Sequence, residues 1–371
     1  MNTRFCCMHW LRSFTLATAG LAMATCSAPQ RENRTGCTEI GIAYAKGFRL
    51  NKCPGGFELR LTGGESYWLA SDAHPSEKHQ GMPHITVPVK RVVCTSTTQL
   101  PWFSELKASE VVVGFSDPDR IYSQELRNAS ISGKLQAVSR AGGLDEESIF
   151  LLGPDLLLAD QGVQVSTRLS KRIPVIRTAD FSESHPLGRA EWIRLAGILT
   201  GRITEADSFF HAVETNYQRL KSMGKSNYAP VVLTGIPYGG TWYMPGADSY
   251  LTRLFADAGF RYPYAGREGV SIPLSLESVV MEGQAIDLWI GTGHWTSVQD
   301  ALDSDQRLRN IAAVVRGNLF AYDAQTTAAG GNAYFEEAVI RPDLLLSDLV
   351  NIRLQQPVRL RYYRKLPERP E

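Results

Sequence analysis

The chain has 371 residues, 43% of them hydrophobic and 21% charged, with a formal net charge of +1. That is globular composition, with length for about two domains. The near-neutral balance, with no Lys/Arg run longer than two, argues against a bulk nucleic-acid binder.

Arg4 and Arg12 open the chain, and Phe14 to Ala24 is a short apolar run without an acid. Small residues then lead to Met23-Ala24-Thr25-Cys26, the layout of a secretory signal over residues 1–25. A Cys at that place resembles the bacterial lipoprotein signal, in which Cys26 is lipidated and becomes the new N-terminus. Thr25 is a less usual residue before it. Residues 26–39, small and polar, suit a flexible tether. No stretch of about 20 apolar residues occurs that would remain across a bilayer after processing. Beyond Cys26 the cysteines are Cys37, Cys53 and Cys94, with no CxxC pair to suggest structural zinc. In an oxidising compartment Cys37 and Cys53 could pair, leaving Cys94 free in an apolar strand.

Residues 40–90 carry mainly β signals: Phe57 to Leu61, Ser66 to Ala70 after a Gly63-Gly64 break, and Ile85 to Val89, whose Pro88 suits an edge. They predict a small β extension. Residues 91–203 then alternate short apolar strands (Val92-Val93-Cys94, Val111 to Phe115, Asp155 to Asp160, Pro174 to Thr178) with helical segments, which implies a parallel sheet covered on both faces. Residues 204–224 read as one long helix, capped by Thr204, with Ala206, Phe209, Phe210, Val213, Tyr217 and Leu220 on one face. Residues 225–357 repeat the strand and helix rhythm through Pro230 to Gly235, Asp287 to Gly291 and Leu319 to Tyr322, with Asp248 and Ser275 as helix caps. The basic tail, 358–371, reads as solvated or frayed. The expected fold is α/β: two three-layer lobes with mainly parallel central sheets, joined by one long helix, plus the β extension.

Ligands of open α/β sheets bind beyond the carboxyl ends of the strands. In the first lobe those ends bear Thr97, Thr98, Gln99, Asp117, Gln161 and Asp180. In the second they bear Trp242 and Tyr243, His294 and Trp295, and Asn332 and Tyr334. Rings on one wall and small polar groups on the other suit a large, flat or ring-bearing ligand. No G-x-S-x-G elbow, Walker loop or H-E-x-x-H is present, so no catalytic residue is expected. His74, His79 and His84, spaced by five, could bind a metal or sit in a solvated loop, and His294 could touch a ligand or ligate a metal.

The order of these elements resembles the substrate-binding proteins of iron-chelate and cobalamin ABC importers, whose two lobes are joined by a single rigid helix. Cys94-Thr95-Ser96-Thr97-Thr98-Gln99, Gly153-Pro154-Asp155-Leu156, Pro186-Leu187-Gly188-Arg189, Met244-Pro245-Gly246, Ile272-Pro273-Leu274-Ser275 and Arg341-Pro342-Asp343-Leu344 carry the likeness across Arg91 to Pro357. The Tyr44-Ala45-Lys46-Gly47-Phe48 opening looks like lipoprotein members from Bacteroidetes-type bacteria. The resemblance implies one permease-docking glutamate per lobe, which falls on Glu147 and Glu277. It implies no cofactor, and as partners an ABC permease with its ATPase and a small-molecule metal chelate. It further implies a monomer, exported and lipid-anchored at the cell envelope, facing the periplasm.

Three departures bear on the ligand. Gln99 stands where relatives often have His, Asn332-Ala333-Tyr334-Phe335-Glu336 where many have Asn-Asp-Tyr-Trp-Glu, and Ala141 where cobalamin binders place a cleft tryptophan. The expected function is capture of a siderophore or haem for import, with cobalamin as the alternative in the same class. A metal chelatase using His294 with Glu336 or a nearby carboxylate is the alternative from another class, and an adhesion lipoprotein without ligand is a third.

Overall fold

The computed structural model describes residues 36–70, 81–140, 143–224 and 228–369. The signal and residues 26–35 of the expected tether, including Cys26, lie outside the described residues, as do His74, His79 and Ala141; the end of the expected tether is instead a strand, Thr38–Ile40.

The central helix, Ile203–Gly224, starts one residue before Thr204, so Thr204 lies inside it and is not its cap. Its 22 residues span about 33 Å at the usual rise. Ala206, Phe210, Val213, Tyr217 and Leu220 form its buried stripe, as their spacing requires, while Phe209 is only half-buried. The first half of the helix lies on Ile193–Thr200 of the first lobe. Contact there is close: a Cβ on Gly197 would stand 2.6 Å from the Ala206 methyl. The second half lies on Tyr250–Ala258 and Pro342–Arg353. There the Tyr217 hydroxyl donates to Asp257 (2.9 Å) and Lys221 pairs with the same carboxylate (3.0 Å). The strut is therefore bound along its length to both halves. Phe210→Ala would cost about 3–5 kcal/mol, the usual loss for a buried ring.

Each lobe has its own sheet. The first runs Val175–Thr178, Leu156–Asp160, Val92–Cys94, Val112–Phe115, Gln136–Ala137, all parallel. The second runs Val232–Thr234, Leu288–Ile290, Leu319–Ala321 in parallel, with Arg364–Lys365 antiparallel at one side. The expected strands are present because their short apolar runs have both faces covered.

The tail corrects the sequence reading. Tyr362, Tyr363 and Leu366 are buried, and Asp348 accepts the backbone N–H groups of Arg361, Tyr362 and Tyr363. Two apolar rings and a waiting carboxylate outweigh the basic composition. A second departure is a three-stranded antiparallel sheet of Pro237–Tyr238, Thr241–Pro245 and Ser271–Ser275, which the strand pattern does not predict. A third is the cap of Tyr250–Ala258, which is Ser249 and not Asp248.

The β extension is a five-stranded sheet in chain order, with Thr38–Ile40 and Phe48–Cys53 as additional strands. Pro88 follows the edge strand His84–Thr86 and does not interrupt it. Cys37 and Cys53 form a disulfide, and Cys94 is a buried free thiol. Two buried carboxylates of the first lobe hold the loop between the first two strands of this extension. Glu191 accepts the N–H groups of Ala43, Tyr44 and Ala45, and Glu183 those of Lys46 and Gly47. Neither charge is left bare, which is the condition for burying one.

Candidate ligand-binding cleft

The strands of the second lobe end at Thr234, Ile290 and Ala321, and a cavity of about 400 Å³ opens just beyond them. Tyr243, Tyr250, Tyr322, Tyr334 and Phe335 give it aromatic walls, and His294 stands exposed at its margin. Tyr322 and Tyr334 stack with centroids 4.9 Å apart, and Phe335 meets both edge-on at 5.2 Å. Asn332 sets this arrangement: its amide donates to the Tyr322 carbonyl (3.1 Å) and its carbonyl accepts the Tyr334 N–H (2.8 Å). Asn332 thus shapes the turn that presents the rings.

Strand alternation decides the neighbouring pair. Along Thr241–Pro245, Trp242 and Met244 face inward and Tyr243 faces out into the cavity. Trp242 is fully buried, its N–H donating to the Thr234 carbonyl (3.0 Å), and Trp295 is buried edge-on to Trp289 at 5.2 Å. These two indoles are the floor under the cavity, and the expectation that they line it is corrected.

The first lobe answers with small polar groups. Gln99 is fully buried in a capping box with Ser96: its carbonyl oxygen accepts the Thr95 and Ser96 N–H groups and its amide donates to the Thr178 hydroxyl (2.8 Å). Its side chain holds the turn and offers nothing to a ligand, which corrects its place among the expected contacts. Thr97 does face the second lobe, its hydroxyl donating to the Phe335 carbonyl (3.3 Å). Asp180 is fully buried, with no well-formed hydrogen bond to its carboxylate among the described residues; burial pushes its pKa up. Asp117 pairs loosely with Arg120 and lines a separate polar groove with Ser130 and Arg140, so it is not brought to the aromatic cavity. Gln161 is exposed, near the Ser182 hydroxyl at 3.4 Å.

The lobes touch through the turn that carries the rings. Glu336, buried and contributed by the second lobe, accepts the backbone N–H groups of Tyr122 (2.6 Å) and Ser123 (2.9 Å) of the first. Burial pushes its pKa up to about 7 against the pull of those two donors. A Cβ on Gly331 would lie 2.3 Å from the Ile121 carbonyl oxygen, so backbone meets backbone there. Arg189 of the first lobe lays its guanidinium over the Tyr250 ring at 3.5 Å.

Sequence reasoning did not single out Tyr250, Tyr322 or Arg189 as site residues, nor Tyr363, which also lines the cavity edge-on to Tyr334 at 5.7 Å. Tyr322 directly follows a strand whose position was legible, so the rule that located the other candidates covers it as well. Arg189 carries no such signal, because its partner ring lies on the other lobe. Among the described residues no cluster of three or more His, Cys, Asp or Glu side chains could hold a metal ion. Glu336, the carboxylate named beside His294 for a chelatase, is engaged by two backbone N–H groups at the contact between the lobes.

Of the expected docking acids, Glu147 is exposed in the first turn of Glu146–Leu152. Glu277 is exposed in the first turn of Leu276–Met281 and pairs with Arg307. Its own N–H and then Arg307 hold its carboxyl below the usual range.

Two separate α/β lobes on a shared helix, with an aromatic hollow at the strand ends, define a class of two-lobed solute-binding proteins. A family model described as periplasmic binding protein matches residues 92–326, and the chain belongs to that family. An uncharacterized lipoprotein of Methanocaldococcus jannaschii is 20% identical over 283 residues, 72% of this chain and 66% of that protein. The chain thus spans just under two thirds of that relative's length. Solved structures similar to it include a periplasmic heme-binding protein of Pseudomonas aeruginosa (17% identical, TM-score 0.58, covering 74% of this chain and 97% of that one). An ABC-type Fe3+-hydroxamate transport protein of Saccharomonospora viridis follows (18%, 0.53, 72% and 93%). The periplasmic vitamin B12 binding protein of Vibrio cholerae is similar too (13%, 0.51, 72% and 98%). At these identities the likeness is one of fold. No helix among the described residues is long and apolar enough to cross a membrane.

Proposed function

We propose that this protein captures an iron chelate, a siderophore or haem, between its lobes and delivers it to an ABC permease, held at the cell envelope by a lipid on Cys26. The observation that carries the reading is the hollow of about 400 Å³ walled by Tyr243, Tyr250, Tyr322, Tyr334 and Phe335. Its size falls in the usual range for small-molecule sites, and its rings offer stacking area with few polar groups to fix orientation. Binding needs no chemistry from the protein; transport work belongs to the permease and its ATPase. With the strut bound to both lobes along its length, closure is a small rocking, so the hollow has to be largely formed before the ligand arrives.

The test is a thermal-shift panel of haem, ferric siderophores and cobalamins. An iron chelate at about 100 times its Kd should stabilise the protein by about 2.7 kcal/mol. Trp242, Trp289 and Trp295 beneath the hollow give a second readout, since bound haem should quench their fluorescence. A response to cobalamin alone moves the assignment to that ligand, and no response to any of the three classes defeats the reading.

A further inference from the structure

Glu147 and Glu277 sit in the first turns of two short helices that hold equivalent places in the two lobes. Glu146–Leu152 leads into the strand Leu156–Asp160, and Leu276–Met281 leads, through a further turn, into Leu288–Ile290. Each helix has a side-chain cap, from Asp145 and from Ser275. One turn after each glutamate, on the same side of its helix, stands a large apolar residue: Leu151 after Glu147 and Met281 after Glu277. Leu151 is 89% exposed and Met281 85%, the two highest values for large hydrophobic side chains among the described residues. A lone exposed leucine needs no explanation, but the same carboxylate-and-apolar pair on equivalent helices of both lobes is a pattern.

We propose that Leu151 and Met281 are the apolar anchors of the surface that docks on the permease, each seating in a recess beside a cation that receives the neighbouring carboxylate. The inference rests on the transport reading above and deepens it. Charge alone steers an encounter and fixes its orientation, while desolvated side chains near the centre of a contact slow its dissociation. Glu277 is held ionised by Arg307, which Asp305 shares, so the second-lobe acid arrives already oriented. Glu147 on the first lobe is exposed, so the two acids differ in preorganisation while the apolar anchors match.

The test places a photocrosslinking amino acid at position 151 or 281 of the full chain in cells of its source organism, with captured protein identified by mass spectrometry. Both positions should link to the same polytopic ABC permease subunit. With that permease purified in detergent, the double variant Leu151→Ser/Met281→Ser should bind about tenfold more weakly than the unaltered protein, as loss of central anchors does. Ile131→Ser is the control: Ile131 is 84% exposed but follows Arg127, not an acid, by one turn, and its variant should bind unchanged. Because all three side chains are exposed, their melting temperatures should match that of the unaltered protein.

Links from neither position, links to lipid or to a second copy of this chain, or links to different proteins from the two positions overturn the proposal. So does unweakened binding by the double variant. The transport reading fails separately: if the purified protein binds no iron chelate or cobalamin while both positions still link to one permease, the ligand assignment falls and the docking surface stands.

Discussion

The two lobes share a chain trace of strands alternating with helices, yet their strand ends are furnished in opposite ways. In the first lobe the polar side chains are largely consumed: Gln99 closes a turn, and Asp180 is fully enclosed. In the second lobe a turn shaped by Asn332 leaves Tyr334 and Phe335 beside an open hollow, above a buried tryptophan floor. One topology thus serves as a closed polar wall and as an aromatic seat. Between them the Glu336 carboxylate crosses from seat to wall, beside the backbone packing of Gly331 on Ile121 and the stacking of Arg189 on Tyr250.

That crossing is where the comparison breaks most easily. The pKa of Glu336 is raised by burial to about 7, above its unfolded value near 4.5. Its contribution to stability is therefore full below about pH 4.5 and is lost as pH rises through about 7, a change on the order of 3 kcal/mol. His185 acts the other way. Its Nδ1 accepts the Leu187 N–H, and burial, then the Arg253 charge, lowers its pKa to about 4. Its contribution is present above about pH 6.5 and is lost as pH falls toward 4. The two oppose each other over the same window, so the wild-type curve alone does not isolate either. Urea unfolding of wild type and Glu336→Gln should show a stability difference that shifts in favour of wild type by about 3 kcal/mol between pH 8 and pH 4.5. A constant difference would mean that the carboxylate does not titrate inside the contact.

Gly331→Ala tests the same seam sterically. Its new methyl has no room against the Ile121 carbonyl, so a loss of about 1–3 kcal/mol and a larger radius of gyration by X-ray scattering are expected. For the seat, Tyr334→Ala should weaken binding of the chelate found in the thermal-shift panel about tenfold by fluorescence titration, the scale of one lost ring contact. The smallest effects belong to the wall. Asp117→Ala and Gln161→Ala should each change affinity by less than about twofold, as exposed side chains outside the hollow. A large loss at either would show that ligand reaches farther across the first lobe than the aromatic hollow suggests.

Much of this frame was legible in the sequence. The strut and the parallel strands are written as local periodicity, which survives without knowledge of neighbours, and the strand-end rule led to Tyr243, Asn332 and Tyr334. What local pattern does not carry is the direction of a side chain relative to the rest of the molecule. Trp242 and Tyr243 are adjacent and equally aromatic, yet one is floor and the other wall, because a strand sends neighbours to opposite faces. The Ser96 to Gln99 spacing of a capping box was readable and would have explained Gln99 without a ligand. Glu336 was quoted for its place in a motif, but its role depends on two N–H groups more than two hundred positions away.

The tail has one more consequence, for how the molecule behaves in company. Arg364–Lys365 pairs along the flank of Leu319–Ala321, with Asp348 strapping down the approach. Shortening the chain ahead of Tyr362 would uncover a row of unpaired amides and carbonyls on that flank, a ready template for a neighbouring copy. These few residues act as a guard strip against self-association, and a fusion or cleavage site belongs beyond them.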